Sequence, residues 1–361
     1  MEPSDSEAYG GTSAEIAKDR CREFAYLCVD EYLADIYKAR ALATAFETGL
    51  IDAIARTEEL SLEKWMERNG VKNSGLELLV GMLESNGVIE RSNGSISFTD
   101  SFSRAMQFRD LMELKAALAH KAAHDFLNLF SDLVYRPGRF FRRAGFFKLF
   151  SYDRSLTPSR ENYEATRRWM TITTILTKYE SAACLKYHDF SRYGKILDIG
   201  GNSGEFVLRI LKENPKVKAA VFDLPLVCEI GEDHVRHHPE AGRISFIKGN
   251  ALIDELPGGF DLITFKSMLH DWPEKESIRL IENASRSLKP GGTLLIFERG
   301  PVEAGKQGFP YSIMPFLLYS QFFRPPVFYE RVLTAMDFTE IAVKEVRLDM
   351  KFNIITAVKG N

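Results

Sequence analysis

Three observations predict an α/β chain, with a doubly wound, mostly parallel sheet in the C-terminal half and a helical N-terminal half. First, five short apolar runs recur after residue 190, each followed by a helical stretch: Lys195–Ile199, Ala219–Asp223, Ile244–Lys248, Phe260–Phe265 and Thr293–Glu298. That alternation is the signature of parallel strands joined by crossover helices. Second, the first run passes straight into a glycine-rich turn containing Gly200, Gly201 and Gly204. Third, Glu340–Val346 and Phe352–Val358 are separated only by a short turn, which forces them antiparallel. The expected sheet is Rossmann-like with an antiparallel last strand.

A length of 361 residues exceeds what one core usually serves, since domains average ~150 residues. The expected division is 1–105, 106–190 and 191–361. With 45% hydrophobic and 27% charged residues, the chain has material for a core and is not compositionally disordered. A net charge of −3 provides no sequence-wide cationic field, which argues against nucleic acid as a partner. The basic run from Arg136 to Arg143 is local and reads as a solvated face. The acidic N-terminus and the lack of a long apolar run predict a cytoplasmic protein with no signal peptide or membrane contact. Cys21, Cys28, Cys184 and Cys228 lack zinc-site spacing and read as buried reduced thiols.

Residues 1–13 read as a loose tail. From Ala14 to Ile54 apolar residues recur near helical spacing, with Gly49 as an interruption. Two further helices follow, around Leu62–Met66 and Leu76–Glu84, with Ser61 and Ser74 as candidate caps. Alternation around Ser92-Asn93-Gly94 then signals a hairpin. This is a winged-helix order, and the expected class for the region is an all-α winged-helix dimerisation domain. Its third helix is apolar and acidic where a groove-reading helix needs Arg, Lys, Asn or Gln, so the expected partner is a second copy of the chain. Residues 106–190 are helical and aromatic, including Phe140 through Tyr152. They suit the wall of a pocket for a flat apolar ligand, although each ring taken singly also suits a core.

The chemistry concentrates at the carboxyl ends of the predicted strands. Asp198-Ile-Gly-Gly-Asn-Ser-Gly204 offers bare backbone at a helix N-terminus, where a nucleotide-like ligand lies comfortably. A turn of this kind is also found as plain structure. Asn202 breaks the Gly-x-Gly-x-x-Gly pattern, and Asp198 would repel a pyrophosphate but hold an ammonium. Asp223, about twenty residues on, suits a ribose diol. Lys266 and His270 stand one turn apart after the fourth strand, so a helix beginning there would aim both into one cavity, Lys266 at a cofactor carboxylate and His270 at an acceptor. An imidazole is suited to take a proton from a phenol-like hydroxyl. Glu298 ends the fifth strand and is placed to support the imidazole. His234, His237 and His238 lack a carboxylate framework, and no metal site is expected.

These motifs resemble the small-molecule O-methyltransferase family, which includes plant caffeic acid enzymes and animal acetylserotonin O-methyltransferase. In that family the turn reads Asp-Val-Gly-Gly-Gly-x-Gly, while Phe222-Asp223-Leu224-Pro225 and Lys266 with His270-Asp271-Trp272 match its motifs intact. The resemblance implies a metal-independent enzyme that uses S-adenosylmethionine and releases S-adenosylhomocysteine. It assigns the cofactor to Asp198, Gly200, Gly201, Gly204, Asp223, Leu224, Asn250, Ala251 and Lys266, the base to His270 and its support to Glu298. Three departures stand out. Asn202 replaces a glycine; Asn250 replaces an acidic residue that touches adenine, though its side chain still hydrogen-bonds an amine. Phe323-Arg-Pro-Pro326 stands where a second carboxylate flanks the base, which leaves His270 resting on Glu298 alone.

The expectation is therefore a homodimeric O-methyltransferase acting on a small, phenolic, aromatic acceptor. The alternatives are an N- or S-methyltransferase, a relative that binds the cofactor without methylating, a nucleotide-sensing winged-helix regulator, and an NAD-dependent dehydrogenase, which Asp198 and Asn202 disfavour.

Overall fold

A computed structural model describes residues 23–70, 74–304 and 308–360. The expected tail, the start of the helix at Ala14 and Cys21 lie outside these residues. Ala25–Leu33 forms a 3-10 helix rather than the expected α-helix. Its buried Tyr26, Val29 and Tyr32 are three apart, and a 3-10 helix stacks residues i and i+3 on one face. Next come α1 (Ile36–Glu47), capped by Asp35, and α2 (Leu50–Thr57), entered through Gly49 at φ 73°. α3 (Leu62–Asn69) is capped by Ser61, and α4 (Ser74–Ser85) follows.

The all-α expectation for this region is corrected. β1 (Glu59–Ser61), β2 (Ile89–Ser92) and β3 (Ser95–Phe98) form an antiparallel sheet in the order β1-β3-β2. The hairpin turns on Asn93 (φ 49°) and Gly94 (φ 82°), both left-handed as a two-residue turn requires. β1 has only three residues, too few for alternation to show, and it forms by pairing with β3.

After α5 (Asp100–Ala105) come α6 (Arg109–Tyr135), the short α7 (Pro137–Arg143) and α8 (Arg160–Tyr187). Two 3-10 turns, Phe146–Phe150 and Tyr152–Leu156, lie between α7 and α8. Arg136, Arg139 and Arg143 of the basic run gather around the buried Asp132, Arg143 at 2.8 Å.

The main sheet has the order β6-β5-β4-β7-β8-β10-β9. Its strands are β4 (Lys195–Ile199), β5 (Lys218–Asp223), β6 (Ile244–Lys248), β7 (Phe260–Lys266), β8 (Leu288–Arg299), β9 (Phe338–Arg347) and β10 (Lys351–Lys359). β6, β5, β4, β7 and β8 are parallel, while β10 runs antiparallel to β8 and β9. Successive residues face opposite sides: Ile196, Leu262 and Leu295 join a core with Val207 and Ile210 of α9 (Glu205–Glu213). Leu197, Ile263 and Leu294 join another with Leu280 and Ile281 of α11 (Glu274–Ser287); α10 (Pro225–Val235) follows β5. The chain wraps in opposite directions from β4 and β7, and such a switch point opens a crevice at the strands' carboxyl ends.

Among the described residues, no helix is long and apolar enough to cross a membrane. Cys184 and Cys228 are buried, and Cys28 is half-buried.

Candidate active site

The crevice at the carboxyl ends of β4 and β7 is roofed by α6, α8 and the 3-10 turns into one cavity. Asp198, Gly200, Gly201, Asp223, Leu224, Asn250, Ala251, Lys266 and His270 all line it. Gly204 and Glu298 do not. Gly204 (φ 76°) opens α9, and a Cβ there would come within 3.0 Å of the Phe246 ring, so its bareness serves helix-on-sheet packing. Glu298 stands behind His270.

One half of the cavity is made by backbone. Gly200 and Asn202 are left-handed, at φ 66° and 57°, and asparagine tolerates that region where most side chains do not. Asn202 locks its own turn: its Oδ1 accepts from the Ser203 amide at 2.7 Å and its amide donates to Asp223 Oδ2 at 2.9 Å. Asp223 Oδ1 accepts from the Leu224 amide at 2.7 Å. Thr264 donates to Asp198 Oδ1 at 2.6 Å, while the buried Asp198 Oδ2 has no partner. Burial pushes the Asp198 carboxyl up to about 7, against the Thr264 bond, and pushes Asp223 up to about 6 against two amide bonds.

Two carboxylates held this far from their ordinary range lack a cation or further donors. An amino-acid ammonium and a ribose diol are such groups, so the residues fit an adenosine cofactor with an amino-acid tail. The turn also excludes side chains: a Cβ on Gly200 would stand 2.6 Å from Met268 Cγ, and one on Gly201 2.6 Å from Asp198 Oδ2. Asn250 lies on the same wall, but its Oδ1 already accepts from the Leu252 amide at 3.0 Å.

The expectation that a helix begins at Lys266 is corrected. Lys266 ends β7, Ser267 takes a left-handed φ of 50°, and a 3-10 turn, Leu269–Asp271, leads into α11. Lys266 Nζ turns instead to α8, donating to Thr177 Oγ1 at 3.0 Å and to Glu180 Oε2 at 2.5 Å. Arg299 also binds Glu180. Burial pushes the Glu180 carboxyl up, but Arg299 and Lys266 together outweigh it and hold it below the ordinary range.

The reversal at Ser267 brings the imidazole over the end of β8. His270 Nδ1 meets Glu298 Oε2 at 2.7 Å, and Glu298 Oε1 accepts from the Met268 and Leu269 amides, both at 2.7 Å. One carboxylate thus fixes both the turn and the ring. The expectation that Glu298 acts alone is also corrected. Asp271 Oδ1 lies 3.5 Å from His270 Nε2, Phe323 packs on the imidazole at 5.2 Å, and Arg324 donates to the carbonyls of Leu269 and Trp272. Burial lowers the affinity of His270 for a proton, but Glu298 and Asp271 overcome it and leave the imidazole more basic than usual.

The other half of the cavity is built from side chains: Phe146, Phe150, Ile172, Phe316, Tyr319 and Phe323. The sequence placed a pocket wall in 106–190, Phe140 through Tyr152 included, but gave no role to Thr177 or Glu180, and it did not single out Phe316 or Tyr319, which lie outside every motif. Asp271 was inside a recognised motif and its role was missed. The histidine triplet is occupied otherwise, with His234 on Glu205 at 2.8 Å and His237 beside Arg236 at 3.0 Å.

A strand-end turn that presents glycine backbone, two strained carboxylates and a carboxylate-backed imidazole defines a class, the cofactor-dependent group-transfer enzymes of the Rossmann-like sheet. An O-methyltransferase domain model matches residues 130–315. A 3-hydroxy-5-methyl-1-naphthoate 3-O-methyltransferase of Streptomyces sahachiroi is 26% identical over 289 residues, covering 74% of this chain and 78% of its own. The crystal structure of LaPhzM superposes with a TM-score of 0.67 at 22% identity, over 89% of this chain and 95% of its own. That of NcsB1, an O-methyltransferase from neocarzinostatin biosynthesis holding S-adenosyl-L-homocysteine and 1,4-dihydroxy-2-naphthoic acid, gives 0.62 at 17% identity, over 90% and 97%. The chain belongs to the O-methyltransferase family and is an S-adenosylmethionine-dependent methyltransferase of the small-molecule type.

Proposed function

We propose that the enzyme methylates a phenolic hydroxyl of a small aromatic acceptor, with His270 as the general base. The observation that carries this reading is the Glu298–His270 pair. With Nδ1 committed to a carboxylate at 2.7 Å, Nε2 is the nitrogen available for a hydroxyl proton. The imidazolium formed after proton transfer is stabilised by the same carboxylate. The apolar half of the cavity suits a flat ring, and the names of the Streptomyces relative and of the NcsB1 complex both point to hydroxylated naphthoates.

When bound, the cofactor supplies an electrophilic methyl group on a sulfonium. Asp198 would hold its ammonium, and Asp223 and Leu224 its ribose, while Asn250 and Ala251 would flank its base. Gly200 and Gly201 let it lie against backbone. Lys266 is reached from the same space, and its bonds to Thr177 and Glu180 set where its charge sits. The aromatic wall keeps water from the reacting oxygen, and fixing two reactants in line supplies much of the rate.

We further read residues 1–105 as a dimerisation unit, 106–190 as the pocket segment and 191–361 as the catalytic domain. The exposed apolar side chains Ile36, Tyr37, Leu127, Phe130, Val134 and Tyr135 support a homodimer, in which a second copy would cover them.

The test is calorimetric titration with S-adenosylmethionine, S-adenosylhomocysteine and NAD, then mass spectrometry of hydroxynaphthoates incubated with enzyme and cofactor. Binding of the first two without NAD, with a gain of one methyl on a hydroxyl, is expected. His270→Ala is expected to keep cofactor binding and lose turnover ~10²-fold or more. Undiminished turnover would remove the base assignment.

A further inference from the structure

The resemblance leads one to expect a second acid beside the catalytic imidazole, contributed from the segment that here reads Phe323-Arg324-Pro325-Pro326. No carboxylate comes from that segment: Phe323 offers a ring at 5.2 Å, and Arg324 is committed to two backbone carbonyls. On the Nε2 side of His270 stands Asp271, whose Oδ1 is 3.5 Å away. Its other oxygen is not left to solvent. Tyr152 donates its hydroxyl to Asp271 Oδ2 at 2.6 Å, across 119 positions of sequence.

Tyr152 comes from the opposite wall, at the start of the 3-10 turn Tyr152–Leu156. Its ring is clamped between two others, edge-on to Trp169 at 5.5 Å and stacked on Trp272 at 6.3 Å. A ring packed against two others leaves the hydroxyl less choice of direction, and a bond to a carboxylate is among the stronger hydrogen bonds available. We propose that Tyr152 is a positioning residue of this enzyme: through Asp271 it fixes the carboxylate on the Nε2 side of His270, making good the acid that the 323–326 segment lacks.

The assignment rests on His270 being the base, but its consequence can be read without turnover. The charged and titratable groups around the imidazole are Glu298 and Arg299 from β8 and Asp271 from its own turn; Tyr319 packs edge-on at 6.3 Å, with Arg324 on the turn's carbonyls. Of these, Glu298 and Asp271 favour the imidazolium and Arg299 opposes it. Burial makes Asp271 harder to ionise, and the Tyr152 bond acts against burial. Without that bond, Asp271 is free to rotate from Nε2 and gives up charge more readily, so His270 holds its proton less well.

The experiment is NMR titration of the imidazole signals in full-length enzyme saturated with S-adenosylhomocysteine, His270 being assigned by its loss in His270→Gln. In Tyr152→Phe, which keeps the clamped ring, His270 is expected to titrate at lower pH than in wild type. Asp271→Asn should do the same, and Tyr152→Phe added to Asp271→Asn should move it no further. A role limited to packing would leave the His270 titration of Tyr152→Phe at its wild-type position, and that result, or additivity in the double variant, overturns the proposal. Loss of the base assignment shows up separately, as undiminished methyl transfer by His270→Ala.

Discussion

The two halves of the cavity are made of different materials. The cofactor half is backbone: a turn of left-handed Gly200 and Asn202, amides that grip Asp223, and a carboxylate at Asp198 with one oxygen unmatched. The acceptor half is side chain: rings from two 3-10 turns, from α8 and from the 311–323 region, with Leu118 of α6 beside them. Backbone geometry tolerates little variation, because a single Cβ in the wrong place meets the fold itself. A wall of rings can exchange one ring for another and still close. The cofactor half should therefore fail sharply on small changes, and the acceptor half should change preference before it fails.

The largest effect on cofactor affinity is expected from Gly201→Ala. Its methyl would stand 2.6 Å from Asp198 Oδ2 and 3.0 Å from Val221, and calorimetry should show affinity for S-adenosylmethionine down tenfold or more, about 1.4 kcal/mol. Binding at wild-type strength would mean the turn is softer than the comparison requires. Tyr319→Ala should leave cofactor affinity alone while altering which hydroxynaphthoates are turned over, as read by competition between two acceptors.

Two pH dependences separate the halves further. Asp198 and Asp223 are pushed up to about 7 and about 6, so both favour the protonated form in the free fold. The stability this protonation contributes is fully present below the ordinary carboxylate range and is lost as pH rises through those values. In the proposed cofactor site the ionised forms are the ones that would hold an ammonium and a diol. Cofactor affinity should accordingly rise from pH 5.5 to 8, with proton release on binding near pH 6, measurable by calorimetry in buffers of different ionisation heat. On the acceptor side the sign is set by a base. His270 is held more basic than usual by Glu298 and Asp271 against burial, and in the proposed base role it must be neutral to accept a proton. The acid limb of kcat/KM should fall above the ordinary imidazole range of about 6.5. Arg324→Ala removes two bonds to the carbonyls of the His270 turn and should lower stability by ~1–3 kcal/mol in denaturant unfolding. Asn202→Gly is the smallest, with cofactor binding expected within about twofold, since glycine adopts the same φ.

What the sequence revealed follows the same division. Asp198, the glycine turn, Asp223 and the hairpin at Asn93-Gly94 were readable because backbone demands leave fixed residue types at fixed spacings. The seven strands of the main sheet were readable from short apolar runs, buried along most of their length in β4, β5, β7 and β8 and only in part in the edge strands β6 and β9. Lys266 and His270 do line one cavity, but not by way of a helix, because nothing local announced that Ser267 would take a left-handed φ and reverse the chain. The 3-10 helix at Ala25–Leu33 was hidden because apolar residues three apart lie on one face in an α-helix and in a 3-10 helix alike. Tyr152 and Tyr319 were not legible as partners of the base, since their roles depend on how α8 and the segments beside it dock on the sheet, which no spacing encodes.

The helix α8, at 28 residues and roughly 42 Å by its rise per residue, touches both halves. Thr174 bonds Ser203 of the glycine turn at 2.7 Å, Thr177 and Glu180 hold Lys266, and Trp169 and Ile172 face the acceptor space. A strut shared in this way makes the two ligands neighbours in energy as well as in space. Whatever tilt one imposes on it the other must meet, and by linkage the debt runs equally in both directions.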